Sequence, residues 1–146
     1  MVVEILNGVN LNMLGRRDPA HYGSLTLDEL ETQIYAWASE LDLRVRCRQT
    51  NSEGEFVGFC HDAVGTVDGL VVNPGAWTHY SYAIRDALEL FAVSVVEVHL
   101  SDITEREEWR RISVIEDVVA HRVIGKGPQG YQEALVFLTH DQKDTS

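Results

Sequence analysis

The chain is 146 residues long, 45% hydrophobic, and carries a formal net charge of −11 at pH 7. That length holds a single substantial core, and the composition is that of an ordinary globular protein. The acidity argues against a nucleic-acid partner, which needs clustered Lys and Arg, and two cysteines, Cys47 and Cys60, are too few for a disulfide framework. No apolar run approaches the ~18 residues of a membrane span, and residues 1–6 read as a strand rather than a leader. A cytoplasmic protein with no membrane and no nucleic-acid partner is expected. Each cysteine sits in apolar or helical surroundings and reads as a small buried hydrophobe.

In chain order, Val2–Leu6 is a β-branched run closed by Asn7-Gly8, the pattern of a buried strand. It enters a polar loop over about residues 8–24 that holds Asn10, Arg16, Arg17, His21 and Tyr22. Connectors after a strand are usually about 2–6 residues long, and a much longer one is usually a lid or binding loop. Thr26-Leu27-Asp28-Glu29 has capping-box spacing, and Leu27, Leu30, Ile34, Trp37, Ala38 and Leu41 follow at helical period. Leu43–Arg48 alternates into a strand whose polar positions predict a sheet edge. Glu53 to about Val64 is a second helix, with Phe56, Val57, Cys60 and Ala63 on one face. Gly69–Val72 is a short strand stopped by Asn73-Pro74-Gly75. A helix is predicted over Tyr80–Phe91, a strand over Val93–Leu100, a helix over Glu105–Ile112 and a short strand over Arg122–Ile124. Tyr131–Leu138 heads a last helix, and His140–Ser146 reads as a frayed tail.

This alternation predicts an α/β fold: a flavodoxin-like, doubly wound, five-stranded parallel sheet in the order 2-1-3-4-5. The layers would be three, α/β/α, forming one catalytic domain over residues 1–146. Such a fold binds its ligand in the crevice at the carboxyl ends of strands one and three. Polar residues gather just after the strands: Asn7 and Asn10, Asn73, His99 and Ser101. A liking for turns accounts for the asparagines. It does not account for His99.

Glu97 and His99 lie two apart on one strand, so their side chains share a face. A carboxylate beside an imidazole holds its tautomer and raises its proton affinity. The bland alternative is a satisfied core pair, and position at the crevice tips the reading toward function. Arg17 and Tyr22 form a second pair. A free tyrosine, with a pKa near ~10, is no base at neutral pH unless a nearby cation lowers it. Arginine supplies such a field permanently. A lid tyrosine that only packs is the competing reading. The run Gly125 to Gly130 fits G-x-G-x-x-G, yet no further strand completes a dinucleotide unit, so it reads as a tight turn. No nucleophile elbow, P-loop or metal-ligand spacing is present in the sequence.

The stretch Leu6 to Gly23, LNGVNLNMLGRRDPAHYG, closely resembles the hallmark loop of the type II 3-dehydroquinate dehydratases, LNGPNLNLLGxREPxxYG. Further matches are RQTNSEGE from Arg48, VNPGAWTH from Val72, YAIRDAL from Tyr82, VEVHLSD from Val96, REEWRR from Arg106 and GKGPQGY from Gly125. The resemblance spans nearly the whole chain. It implies a flavodoxin-like fold, trimers assembled into a dodecamer, and cofactor-free, metal-free dehydration of 3-dehydroquinate to 3-dehydroshikimate in the shikimate or quinate pathway. By position, Tyr22 resembles the family's base and Arg17 the arginine that keeps it ionised. Asn10 matches a residue holding water against the enolate, and His99, oriented by Glu97, matches the general acid. Asn73, His79 and Arg110 match positions that bind substrate hydroxyls. The Leu100 backbone and Ser101 match those gripping the carboxylate, and Asp86 matches a residue contributed by a neighbouring subunit.

The chain departs from the pattern in three places. Val9 replaces the proline of the NGPN turn, Asp102 stands where asparagine is common, and residues 114–124 read VIEDVVAHRVI where the family usually has small or apolar residues and a glycine near His121. The chemistry fits the residue types independently of the family. A proton beside a ketone needs a placed base and a stabilised enolate, and loss of hydroxyl needs an acid. Arg16, Arg17, Arg106 and Arg110 would give an anionic substrate local positive charge. Two rivals remain at this level: a non-catalytic homologue binding a cyclic hydroxy-carboxylate, and a flavin-binding electron carrier on the same fold.

Overall fold

A computed structural model of the protein describes residues 1–16 and 24–145, with the backbone alone for 142–145. Five strands, β1 (Val2–Asn7), β2 (Arg44–Gln49), β3 (Gly69–Asn73), β4 (Val95–His99) and β5 (His121–Ile124), make one sheet. Every pairing is parallel and the order is β2-β1-β3-β4-β5, as the alternation predicts. Among the described residues four helices accompany it: α1 (Leu27–Glu40), α2 (Glu53–Ala63), α3 (Tyr82–Leu88) and α4 (Gln129–Thr145).

Strand parity sorts the core into two layers. Val3, Ile5, Val71, Val96, Val98 and Val123 face one way, against Leu30, Ile34 and Ala38 of α1 and Tyr131, Ala134, Leu135 and Leu138 of α4. Leu6, Leu70, Val72 and Val95 face the other way, against Phe56 and Cys60 of α2 and Ile84, Ala87 and Leu88 of α3. With both faces covered, the central strands are buried throughout: β3 and β4 have no exposed residue. β2 is the half-exposed edge that its alternation announces. The complete Thr26/Glu29 capping box starts α1. Burial pushes the Cys47 and Cys60 thiols up to about 12, so neither is a ready nucleophile.

The order reverses between β1 and β3, and the chain opens a crevice there. The two loops that leave these strands interlock. Gly8 N–H donates to Asn73 O at 2.7 Å, and a Cβ on Gly8 would lie 2.4 Å from the Pro74 carbonyl oxygen. Gly75, at φ +65°, would carry a Cβ 2.7 Å from Val9 O. No side chain fits at either place.

Several boundaries differ from the sequence reading. Glu105–Ile112 is not an α-helix but two 3-10 turns, Ile103–Glu105 and Glu108–Arg111. Its large apolar residues, Trp109 and Ile112, are exposed, so no buried stripe stabilises a helix there. The helix predicted from Tyr80 starts at Tyr82, because Ser81 caps it by accepting from Ile84 N–H, and Gly75–His79 forms a 3-10 turn before it. The last helix runs on to Thr145, past His140, with Ser94 Oγ donating to Asp141 at 2.5 Å. From Gly8 to Arg16 the predicted lid is held down at its start, where Leu11 and Leu14 are buried in the core.

Candidate active site

The crevice holds a cavity of about 100 Å³, lined among others by Asn10, Asn73, His79, His99, Ser101 and Arg110. Leu100, Ile103 and Arg106 complete its far wall. Of the predicted site residues, seven therefore line one cavity, and Glu97 lies directly beneath His99. Asp86 is exposed on α3, is absent from this lining, and belongs to the outer surface of the chain. Arg17 and Tyr22 lie outside the described residues.

Glu97 is the electrostatic centre. It has no exposed surface, yet it is surrounded by donors. His99 Nε2 lies 2.6 Å from Oε2, Thr78 Oγ1 donates to Oε2 at 2.7 Å, and Ser113 Oγ donates at 3.1 Å to each oxygen. Arg122 Nε donates to Oε1 at 2.9 Å. Burial opposes ionisation, but the His99 and Thr78 hydrogen bonds and the Arg122 charge overcome it and bring the carboxyl down to about 2. An ionised carboxylate only accepts, so Nε2 of His99 carries a proton, and Nδ1 is the ring nitrogen that Glu97 leaves unengaged.

His79 sits beside this pair, its ring stacked on His99 at 6.4 Å between centroids. Nδ1–H donates to Ile112 O at 2.7 Å, which leaves Nε2 as an acceptor. Burial lowers its pKa, the Ile112 bond acts the other way, and the neighbouring His99 and Arg110 charges lower it further. His79 is thus a neutral group at pH 7. The edge of the His79–Trp109 contact, 5.2 Å between centroids, closes that side. Arg110 lies over the Trp109 ring at 4.1 Å and donates to Glu107 Oε2 at 2.6 Å. Arg106 reaches Ser101 Oγ at 3.4 Å. Two guanidiniums on the wall give an acidic protein a locally positive pocket suited to an anion.

Asn73 is fixed by a hydrogen-bond chain that starts at a backbone donor. Gly75 N–H donates to Asn73 Oδ1 at 3.1 Å, so Nδ2 must point the other way, and it donates to Tyr131 OH at 3.0 Å. The hydroxyl then donates to Asn7 Oδ1 at 2.6 Å. Asn7 Nδ2 ends the chain, buried and without a hydrogen-bond partner among the described residues. Because a backbone N–H cannot accept, the orientation of the Asn73 amide follows from Gly75, and the Tyr131 hydroxyl that accepts from it keeps its own proton for Asn7. On the other wall, Asn10 adopts φ 70°, its N–H donating to Asn51 Oδ1 at 2.8 Å. Gln49 Nε2 braces the same oxygen at 3.1 Å. Among the described residues no cluster of three or more His, Cys, Asp or Glu is arranged to hold a metal.

The model of the class II dehydroquinase family matches residues 1–139. The chain belongs to that family. It is 50% identical over 133 residues to the 3-dehydroquinate dehydratase of Pelobacter propionicus, covering 90% of this chain and 89% of the relative. It is 49% identical over 139 residues to that of Syntrophotalea carbinolica, covering 94% of each. Its fold superposes on the type II dehydroquinase of Propionibacterium acnes with a TM-score of 0.93 at 42% identity, over 96% of this chain and 97% of the other.

Sequence reading missed the supports of the site rather than its lining. Thr78, Ser113 and Arg122 hold Glu97, and Tyr131 holds Asn73. Thr78 and Tyr131 each fall within a motif that matches the family, VNPGAWTH and GKGPQGY, but neither has a chemical signature of its own. Arg122 had a signal: a charge beside the apolar Val123 and Ile124, in a strand whose partner strand carries an acid at the paired position.

Proposed function

We propose that the protein dehydrates 3-dehydroquinate to 3-dehydroshikimate by anti elimination through an enolate, in the shikimate or quinate pathway. The observation that carries this is an ionised, buried Glu97 against His99 at the edge of an arginine-lined cavity, in a chain of the class II dehydroquinase family. In the first step Tyr22, kept ionised by Arg17, takes the proton beside the ketone, and a water held by Asn10 stabilises the resulting enolate oxygen. In the second, the enolate re-forms the carbonyl and expels a hydroxyl, which leaves as water with a proton from His99. Glu97 orients His99 throughout. Asn73, neutral His79 and Arg110 bind the substrate hydroxyls, while the Leu100 backbone and Ser101 grip its carboxylate.

Asp86 acts in a neighbouring copy, which makes the working form a homo-oligomer, a dodecamer built from trimers, resident in the cytoplasm. Its exposure on α3, away from its own cavity, supports that reading. No helix among the described residues is long and apolar enough to cross a membrane.

The direct test adds 3-dehydroquinate to purified protein and follows absorbance of the conjugated enone product. Growth of that absorbance without added metal or cofactor is expected. Binding without turnover would instead identify a non-catalytic homologue that holds a cyclic hydroxy-carboxylate.

A further inference from the structure

The Glu97 carboxylate is held by more donors than the orientation of one imidazole requires. Oε2 receives His99 and Thr78, Ser113 reaches both oxygens, and Oε1 is left to Arg122. Arg122 stands on β5 directly opposite Glu97 in the parallel register. Its side chain is 19% exposed, and its other charged contact among the described residues is Glu116, at 3.3 Å and 60% exposed. Neither step of the dehydration makes use of it. A guanidinium is charged at every pH the protein meets. The buried carboxylate therefore has a counter-charge whether or not His99 carries one.

We propose that Arg122 is a positioning residue for the acid step, acting through Glu97 to fix the carboxylate and to offset its charge so that the His99 imidazolium releases its proton more readily. This rests on the reading of His99 as the general acid. Without Arg122, the anion would answer to His99 alone, and the tighter ion pair would hold the imidazolium proton back. With it, Nε2–H stays on Glu97 in both states of the ring, and the proton that comes and goes is the one on Nδ1. Other charges surround the pair: His79 stacks on His99, Arg106 and Arg110 line the same cavity, and Glu116 draws on Arg122 from outside. Among the described residues, Arg122 is the cation in direct contact with Glu97 besides His99 itself.

The test follows the His99 ring signals by NMR across pH in the full chain and in Arg122→Gln and Arg122→Lys, with kcat and KM for 3-dehydroquinate alongside. In Arg122→Gln the His99 titration midpoint is expected to rise by about one pH unit or more. Its kcat should fall several-fold while KM holds, and Arg122→Lys should restore most of both. A purely structural arginine would leave the midpoint where it was and lower only thermal stability, and that result overturns the proposal. If Arg122→Gln does not fold, Glu116→Gln carries the test, since it alters an exposed side chain. It leaves the Arg122 charge undivided, so the midpoint should move down, and an unmoved midpoint overturns the proposal equally. The NMR midpoint needs no turnover. An inactive but normally titrating parent protein would therefore sink the dehydratase reading separately from the coupling between Arg122 and His99.

Discussion

Glu97 has no exposed surface and yet remains an anion, and that combination sets what His99 can do. With its carboxylate occupied on both oxygens, Glu97 orients the imidazole and is a poor proton acceptor itself. His99→Ala should therefore stop the reaction after proton abstraction. The variant is expected to exchange the substrate's C2 hydrogen with deuterated water while forming almost no product. If exchange and dehydration fall together with binding intact, His99 does not serve the second step. Tyr131→Phe removes the hydroxyl between Asn73 and Asn7, leaving a buried amide donor and an acceptor unpaired. Each orphaned group costs about 1–3 kcal/mol, so denaturant unfolding should shift to a lower midpoint. KM should rise more than kcat falls, because the change reaches the substrate only through Asn73. Of the site lining, His99 was legible in the sequence because an imidazole at a strand end is not explained by turn preference, whereas His79 and Arg110, in 3-10 turns, were reached only through the family motifs. The supports of the site were not legible, since Thr78, Ser113 and Tyr131 are ordinary residues whose roles depend on contacts across the fold.

At the scale of elements, strands and capped helices were legible where pattern and propensity agree, as at β1, β3 and the Thr26/Glu29 start of α1. The region 105–112 was not. Its charges suit a helix surface, but nothing apolar is buried beneath them, so local propensity has no packing to complete it. The glycines show how differently one residue type serves different elements. Gly58, inside α2, has nothing within 4 Å of the place a Cβ would take, so Gly58→Ala should stabilise the protein by about 0.4–1 kcal/mol. Gly8→Ala should do the reverse, because its methyl would strike the Pro74 carbonyl between the two site loops. Thermal unfolding of the pair reads both signs in one experiment, and equal effects would contradict the loop interlock.

For the whole molecule, acid should act through two groups with the same sign. Glu97 falls from the ordinary 4.5 to about 2 on folding, so its contribution is complete above about 4.5 and is lost as pH drops toward 2. The difference corresponds to about 3 kcal/mol. His79 is held below its ordinary 6.5, so the unfolded chain takes up that proton first and stability already declines below 6.5. Urea midpoints at pH 7, 5 and 3.5 should fall in that order, with the steeper drop between the last two. An unchanged midpoint at pH 3.5 would contradict an ionised Glu97. At this scale the strand order was legible because the alternation of elements leaves few topologies, whereas assembly was not, since an exposed Asp86 looks alike on any surface. The Tyr131 hydroxyl joins α4 to Asn7, 124 residues earlier, and to Asn73, 58 residues earlier. On a ribosome, the strands that frame the pocket are finished long before the residue that sets their amides is made. The last helix therefore completes the pocket after all five strands are made, and a polypeptide stopped before Tyr131 lacks both that hydroxyl and the α4 layer that covers one face of the sheet.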